Sequence, residues 1–143
     1  MAVSVKEVHR AIAGRIDNLT GYREVRMLPQ YFGRTQNTLA HLGFAVDIVT
    51  SNAAPERQRR AVGAMLESLV RVKIAYRIRP HDVVLDYGNA LDKEQEVIAA
   101  LMDPNWGKGI ECRLESITRN SPDSQEYLLS EIAFSVFHTI TIQ

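Results

Sequence analysis

The chain has 143 residues, and its 17 lysines and arginines balance 17 aspartates and glutamates. This length predicts one domain, residues 1–143, because two separate cores would each approach the size at which burial barely offsets chain entropy. A net charge of zero provides no whole-chain positive field of the kind that collects polyanions on basic nucleic-acid binders, so any charge effect must be local.

Cys112 is the one cysteine, which leaves no intrachain disulfide framework and no cysteine cluster for zinc. Charged side chains interrupt residues 1–16 every few positions, unlike the apolar core of a signal peptide. No stretch approaches the roughly 20 apolar residues of a membrane span. We therefore expect a soluble, non-secreted domain that folds in a reducing cytoplasm and has no membrane partner.

The first predicted element is an amphipathic helix over residues 4–17. Ser4 is placed to cap it, with Glu7 three positions later as the capping-box partner. Apolar residues recur at three- and four-residue spacing along it: Val5, Val8, Ile12 and Ile16.

Residues 18–41 show no sustained hydrophobic period. They do contain large side chains, including Tyr22, Met27, Leu28, Tyr31 and Phe32. Connections of this length are usually functional or disordered. We expect this one to pack against the domain's own sheet or against a neighbouring subunit.

Two strands are predicted next. From residue 42 the period changes to two, with Phe44, Val46 and Ile48 on one face, which indicates a strand of about seven residues. Residues 50–63 break it with a charged, flexible insertion that carries Arg57, Arg59 and Arg60. Residues 69–79 then alternate again, with an apolar face and a basic face. The basic face carries Arg71, Lys73, Arg77 and Arg79.

A second helix is predicted over residues 89–102, with Asn89 or Asp92 as its cap. Val83, Val84 and Tyr87 can extend it towards the N-terminus, with a bend at Gly88. Alternating residues after 110 and after 127 indicate two closing antiparallel strands. The predicted fold is therefore α+β, in the order α-β-β-α-β-β, with about four mostly antiparallel strands and two helices packed on one face. The hairpin insertion is long.

The histidines and cysteine do not form a catalytic pattern. None of the four histidines has the spacing of a metal motif, so each is interpreted as a surface or edge residue. Cys112 alternates in phase with apolar neighbours, which favours a small buried group over an activated nucleophile. Neither a metal nor a cofactor is predicted.

The remaining polar and aromatic candidates have structural interpretations. The glycines around Lys108 lack the longer glycine-spaced nest of a phosphate loop. Asp92, Glu94 and Glu96 are interpreted as a solvated helix face. Trp106 is interpreted as a lid on the core, with an anchor for a partner as the alternative. No enzyme is predicted.

The arginines of residues 50–63 and the basic strand face admit three interpretations. Together they can hold phosphates or an acidic protein, they can set the register between copies of the chain, or they can be solvated. No aromatic residue interleaves with the basic strand face, which argues against nucleic-acid binding as the main role. We expect residues 50–63 to be mobile in a free subunit and ordered on docking.

The order of elements resembles the tail-terminator, or tail-completion and neck, proteins of long-tailed bacteriophages. The likeness rests on whole segments spread over most of the chain: VKEVHRAIAGRI, GFAVDIV followed by a charged loop, SLVRVKIAYRIRP, ALDKEQEVIAALMD and EIAFSVFHTITIQ. Residues 18–41 depart from the pattern because they contain no obvious strand.

This resemblance implies a structural virion protein made in the host cytoplasm. It implies a ring, most simply a homohexamer, that ends the tail tube, binds the tail tube protein and offers a surface to the head-completion or neck protein. DNA would pass through the central channel without sequence readout. The expected assembly interface comprises Tyr31, Phe32, Arg57, Arg59, Arg60, Arg71, Lys73, Arg77 and Arg79.

Other functions stay open at this point. One is a head-closure or neck connector subunit of the same virion. Another is a small cytoplasmic nucleic-acid-binding or regulatory module, which steeply salt-dependent DNA binding would identify. A third is an enzyme whose site is assembled across subunits from His81, Asp86 and a neighbour's residue.

Overall fold

A computed structural model describes residues 2–25, 41–53, 63–107, 109–121 and 126–141. The fold is α+β, as predicted. Its elements are α1 (Val5–Asp17), β1 (Arg23–Glu24), β2 (Gly43–Ala53), β3 (Gly63–Arg77), α2 (Val83–Met102), β4 (Ile110–Asn120) and β5 (Tyr127–Thr141). In the described part of the chain, no helix has the length and apolar character needed to cross a membrane.

Helix α1 confirms its prediction. The Ser4 hydroxyl accepts from the Glu7 amide at 3.1 Å, and the Glu7 carboxylate accepts from the Ser4 amide at 3.0 Å, so the capping box is complete. The buried face presents Val8, Ile12 and Ile16 to the core. Arg15 joins the end of α1 to the end of α2, because its guanidinium donates to the carbonyls of Ala100 and Asp103.

The sheet has five strands in the order β1-β2-β3-β5-β4, one more than predicted. The additional strand, β1, has two residues and runs parallel to β2, so the sheet is mixed. Two backbone hydrogen bonds flank it, from the Arg23 amide to the Leu42 carbonyl and from the Val25 amide to the Phe44 carbonyl. A strand this short has no alternation that a sequence pattern could reveal.

The β2–β3 hairpin is longer than predicted. Strand β2 continues to Ala53, and β3 begins at Gly63, so the predicted break at residue 50 is wrong. The register shifts between Ile48 and Thr50, which shows that a bulge lets β2 continue past the point where its apolar alternation stops. Residues 54–62 lie outside the described part of the chain.

Strands β3 and β5 form the longest pairing, which runs antiparallel without interruption from Gly63↔Thr141 to Arg77↔Tyr127. The apolar face of this pair is buried under both helices. Among its largest fully buried side chains are Tyr76, Phe134, Ile74 and Ile132. The prediction of an apolar face through Val70, Val72, Ile74 and Tyr76 is confirmed.

Strand β4 contains a second bulge, between Leu114 and Ser116. The bulge turns Ile117 towards the core and Ser116 outwards, whereas strict alternation from Ile110 would place Ser116 inwards and Ile117 outwards. Cys112 packs against the core, and burial raises the pKa of its thiol to about 11. The prediction that Cys112 packs with its apolar neighbours is confirmed, and its burial is partial.

Helix α2 begins at Val83, six residues earlier than the segment that its apolar pattern predicted best. The residue before it is Asp82, so neither Asn89 nor Asp92 is the cap, and the helix continues through Gly88. The predicted extension back through Val83 is confirmed. The apolar pattern marks residues 89–102 best because the first turns expose apolar residues where an amphipathic pattern requires polar ones. Trp106, which follows α2, packs against the core under the Arg15 guanidinium, confirming the predicted lid.

Candidate functional site

The predicted basic strand face belongs to the side of the sheet that faces away from the helices, which we call the outer sheet face. Glu131 on β5 lies beside its cations, 3.6 Å from the Arg71 guanidinium and 4.0 Å from the Lys73 ammonium. Asp47 is the register partner of Arg71 on the other side. The outer sheet face therefore has mixed charge, because neighbouring strands supply acids that the β3 sequence alone does not reveal.

Arg79 is not part of that face. It lies two residues beyond the end of β3, and its guanidinium and backbone amide both bind the Asp86 carboxylate of α2, with distances of 2.8–3.0 Å. Only 9% of the Asp86 side chain is exposed, because the Arg79 side chain covers it. The Arg79 side chain lies at the protein surface and is itself 55% exposed. Hydrogen bonding from Arg79 lowers the pKa of Asp86 to about 2.

A cavity of about 570 Å³ lies between the end of β3 and α2. Its lining residues are His41, Tyr76, Arg77, Arg79, Asp86, Asn89, Ala90, Asp92, Lys93 and Glu96. Three cations and three carboxylates balance each other in this lining. The Arg79–Asp86 pair and the weaker Lys93–Glu96 pair, at 3.8 Å, account for four of these six charges.

Tyr76 forms part of the cavity wall, and its side chain is fully buried. Its hydroxyl is the buried side-chain polar atom of the described residues that lacks a hydrogen-bond partner. Burial raises the pKa of Tyr76 far above its ordinary value, and the nearby Tyr22 hydroxyl adds to this effect without forming a hydrogen bond of normal geometry. Tyr22 instead donates to the Lys93 carbonyl at 2.8 Å.

His41 closes the cavity at the start of β2. Its Nδ1 accepts from the Arg77 backbone amide at 3.0 Å, which requires an unprotonated Nδ1. Desolvation lowers the pKa of His41. Both observations favour the neutral ring, so His41 adds no positive charge to the cavity.

The prediction that Glu94 belongs to a solvated helix face is wrong, because only 3% of this residue is exposed. Its carboxylate accepts from the Arg119 guanidinium of β4 and from the Ser130 hydroxyl of β5. Glu94 therefore ties α2 to the two last strands. The α2 sequence shows only a run of charges at this point, and the partner in β4 is too distant in sequence for local reasoning to find.

His138 is another correction, since it is 1% exposed and not a surface or edge residue. Its Nδ1 donates to the Val3 carbonyl at 2.7 Å, so its Nε2 accepts from the Ser68 hydroxyl at 2.8 Å. Ser51 continues this network, with its hydroxyl 2.8 Å from that of Ser68. The network ties the N-terminal segment to β2, β3 and β5.

The first turns of α2 present exposed apolar side chains to solvent. Their exposed fractions are 51% for Val83, 87% for Val84, 58% for Leu85 and 44% for Tyr87. Leu85 shares a helix face with Asp92 and Glu96, because Leu85, Asn89, Asp92 and Glu96 follow one another at four- and three-residue spacing. Val83 and Tyr87 share the opposite side of the helix. We call Val83, Val84, Leu85, Tyr87, Asp92 and Glu96 the α2 surface.

The other predicted interface residues, Tyr31, Phe32, Arg57, Arg59 and Arg60, lie outside the described residues. Within the described ranges, no group of three or more histidine, cysteine or acidic side chains is arranged to hold a metal ion. The structure brings Arg77 and Arg79 to the cavity and leaves Arg71 and Lys73 beside Glu131. Sequence reasoning missed the α2 surface, although the VVLDY segment was visible as apolar residues next to a proline-terminated strand.

No protein-family model matches the chain, and no curated protein matches it significantly.

Replacement of Asp86 by asparagine is expected to destabilise the fold in a pH-dependent way. The folded-state pKa of Asp86 is about 2, below its ordinary value of 3.8. The ionised carboxylate therefore contributes its full stabilisation of the fold at pH values above 3.8. This stabilisation is lost as the pH falls towards 2. Urea unfolding midpoints should therefore differ between wild type and Asp86→Asn near neutral pH and converge in acid. Exposed Asp92→Asn is the matched control, and a pH-independent difference for Asp86→Asn would contradict the assignment.

Removal of the Tyr76 hydroxyl is expected to cost no stability. An unpartnered buried hydroxyl is desolvated without compensation, so Tyr76→Phe should leave the free energy of unfolding unchanged or raise it by up to about 1 kcal/mol. Denaturant unfolding of the two proteins measures this difference. A loss above about 1 kcal/mol would mean that the hydroxyl has a hydrogen-bond partner in solution.

Proposed function

We propose that this protein is a structural subunit of a bacteriophage virion, of the tail-terminator type, which forms a ring at the head-side end of the tail tube. In this role it stops tube growth and binds both the tail tube protein and the head-completion or neck protein. The ring is a homohexamer, and DNA passes through its channel without sequence readout. The sequence resemblance motivates this function, and the α+β fold is consistent with it.

The observation that carries the proposal is the exposed apolar part of the α2 surface. Val83, Val84, Leu85 and Tyr87 are all exposed within the first five residues of α2, whereas scattered single exposed apolar residues are normal on a monomer. A concentration of exposed apolar side chains is typical of a surface for another protein. A subunit that assembles with other proteins needs such a contact surface.

The electrostatics favour assembly over nucleic-acid binding. Nucleic-acid binding needs a continuous basic patch, because affinity comes from neutralising several phosphates. On the outer sheet face, Asp47 and Glu131 lie among the cations, which interrupts such a patch. Charges of both signs suit contacts between copies, where complementary charge sets the register.

The ring predicts an assembled mass of six times the 16.1 kDa chain. Native mass spectrometry should detect this species, and negative-stain images of it should show a closed ring with a central hole. Changing Arg57, Arg59 and Arg60 together to glutamate should remove the ring while the circular dichroism spectrum stays unchanged, since these arginines are expected at the interface. The variant Arg113→Glu, at an exposed position of the edge strand β4, is the control.

Two results would contradict parts of this account. One is an unchanged ring in the triple arginine variant, which would leave the ring standing and remove the predicted interface role of these residues. The other is a monomer that never assembles but binds oligonucleotides with a steep dependence on salt, which would favour the nucleic-acid-binding module.

A further inference from the structure

The cavity between the end of β3 and α2 has the size of a small-molecule site. Its volume of about 570 Å³ lies within the range of roughly 300–1,000 Å³ that is usual for such sites. The wall supplied by α2 includes Asp86, Asn89, Ala90 and Lys93, whose three- and four-residue spacing puts them on one helix face. The end of β3 supplies a second wall, which includes Arg77.

Four of the charged side chains in this lining already have partners. The Asp86 carboxylate accepts three hydrogen bonds from Arg79, so this pair is satisfied without a ligand. The Lys93 ammonium lies 3.8 Å from the Glu96 carboxylate, one turn further along α2. These four side chains add no net charge to the cavity.

Arg77 and Asp92 carry the two charges that remain. Neither the Arg77 guanidinium nor the Asp92 carboxylate has a hydrogen-bond or ion-pair partner among the described residues. Both side chains are exposed, so a ligand can reach them, and they belong to different walls of the cavity. A simple anion would be repelled by Asp92, and a simple cation would be repelled by Arg77. A ligand with one charge of each sign satisfies both residues.

His41 adds a neutral donor beside Arg77. Its Nδ1 accepts from the Arg77 backbone amide at 3.0 Å, so the ring proton is on Nε2. Nε2 has no hydrogen-bond partner among the described residues. A carboxylate accepts several hydrogen bonds, and guanidinium donors bind it most strongly. Arg77 and His41 therefore form the end of the cavity that suits a carboxylate.

The uncharged part of the lining suits a peptide between the two charged ends. The Asn89 amide both donates and accepts hydrogen bonds, as a peptide group requires. Tyr76 contributes an aromatic side chain and Ala90 a methyl group, against which an apolar side chain can pack. Since Arg77 and Asp92 belong to different walls, the carboxylate and the ammonium group of the ligand must lie at opposite ends, as they do in a dipeptide.

We propose that this cavity binds a short zwitterionic peptide of dipeptide size, with Arg77 and His41 binding its carboxylate and Asp92 binding its ammonium group. The site is independent of the proposed ring. A hexamer that does not bind the peptide would leave the ring standing and remove this site, and a monomer that binds it would do the reverse.

The ligand class is tested by isothermal titration calorimetry with alanyl-phenylalanine at about pH 6.5, where an α-amino group with a pKa of about 7.7–8.0 is charged. The dipeptide should show saturable binding to wild type. Its N-acetyl derivative and its C-terminal amide should each bind about tenfold more weakly, because each lacks one charged group. No saturable binding at about 1 mM dipeptide, or equal binding of either derivative, would overturn the proposal.

The assigned residues are tested by combining these ligands with two variants. Arg77→Gln should weaken binding of the dipeptide and should no longer distinguish it from its amide, whereas Asp92→Asn should no longer distinguish it from the N-acetyl derivative. Arg71→Gln and Asp47→Asn make the same charge changes on the outer sheet face and should bind the dipeptide like wild type. Cavity variants that still distinguish these ligands as wild type does, or an equal loss in the outer-face variants, would overturn the assignment.

Discussion

The uninterrupted pairing of β3 with β5 is the constraint on which the rest of the structure depends. Fifteen residues of each strand pair in one register, which fixes the side chains that face the helices. Phe134, Ile74 and Tyr76 then supply the surface on which α1 and α2 pack. A slip of one residue would exchange this apolar face for the charged outer sheet face. The β2 and β4 strands flank this pair, and the bulges in each adapt their register to it.

Three polar clusters hold the helices and the N-terminal segment onto that sheet. His138 binds the N-terminal segment through the Val3 carbonyl, Glu94 binds the last two strands to α2, and Asp86 binds the end of β3 through Arg79. Their partners are hydrogen-bonded at the edges of the core, where burial makes an unpaired polar group costly. With α2 held by its inner face, Val83, Val84, Leu85 and Tyr87 remain exposed among the described residues.

Local sequence patterns predicted most of the fold, because hydrophobic periodicity, helix capping and turn formation each depend on residues only a few positions apart. The Ser4–Glu7 capping box, the β3 core face and the Trp106 lid were predicted for this reason. The features that the sequence did not predict depend on contacts between residues far apart in the chain. Strand β1 is held by its pairing with β2 and by the Arg10–Glu24 ion pair to α1. Glu94 is an inner residue because it binds Arg119, and Glu131 balances cations that the β3 sequence alone displays as a basic face. The candidate site was predicted least well, because exposure of the first α2 turns is a property of the packed fold.

The central claim of this account is that copies of this chain assemble into a closed ring. Mass photometry of the purified protein over a concentration series tests it directly. The account predicts one discrete assembled species at six times the 16.1 kDa chain. A protein that stays at the mass of one chain at every concentration would contradict the account.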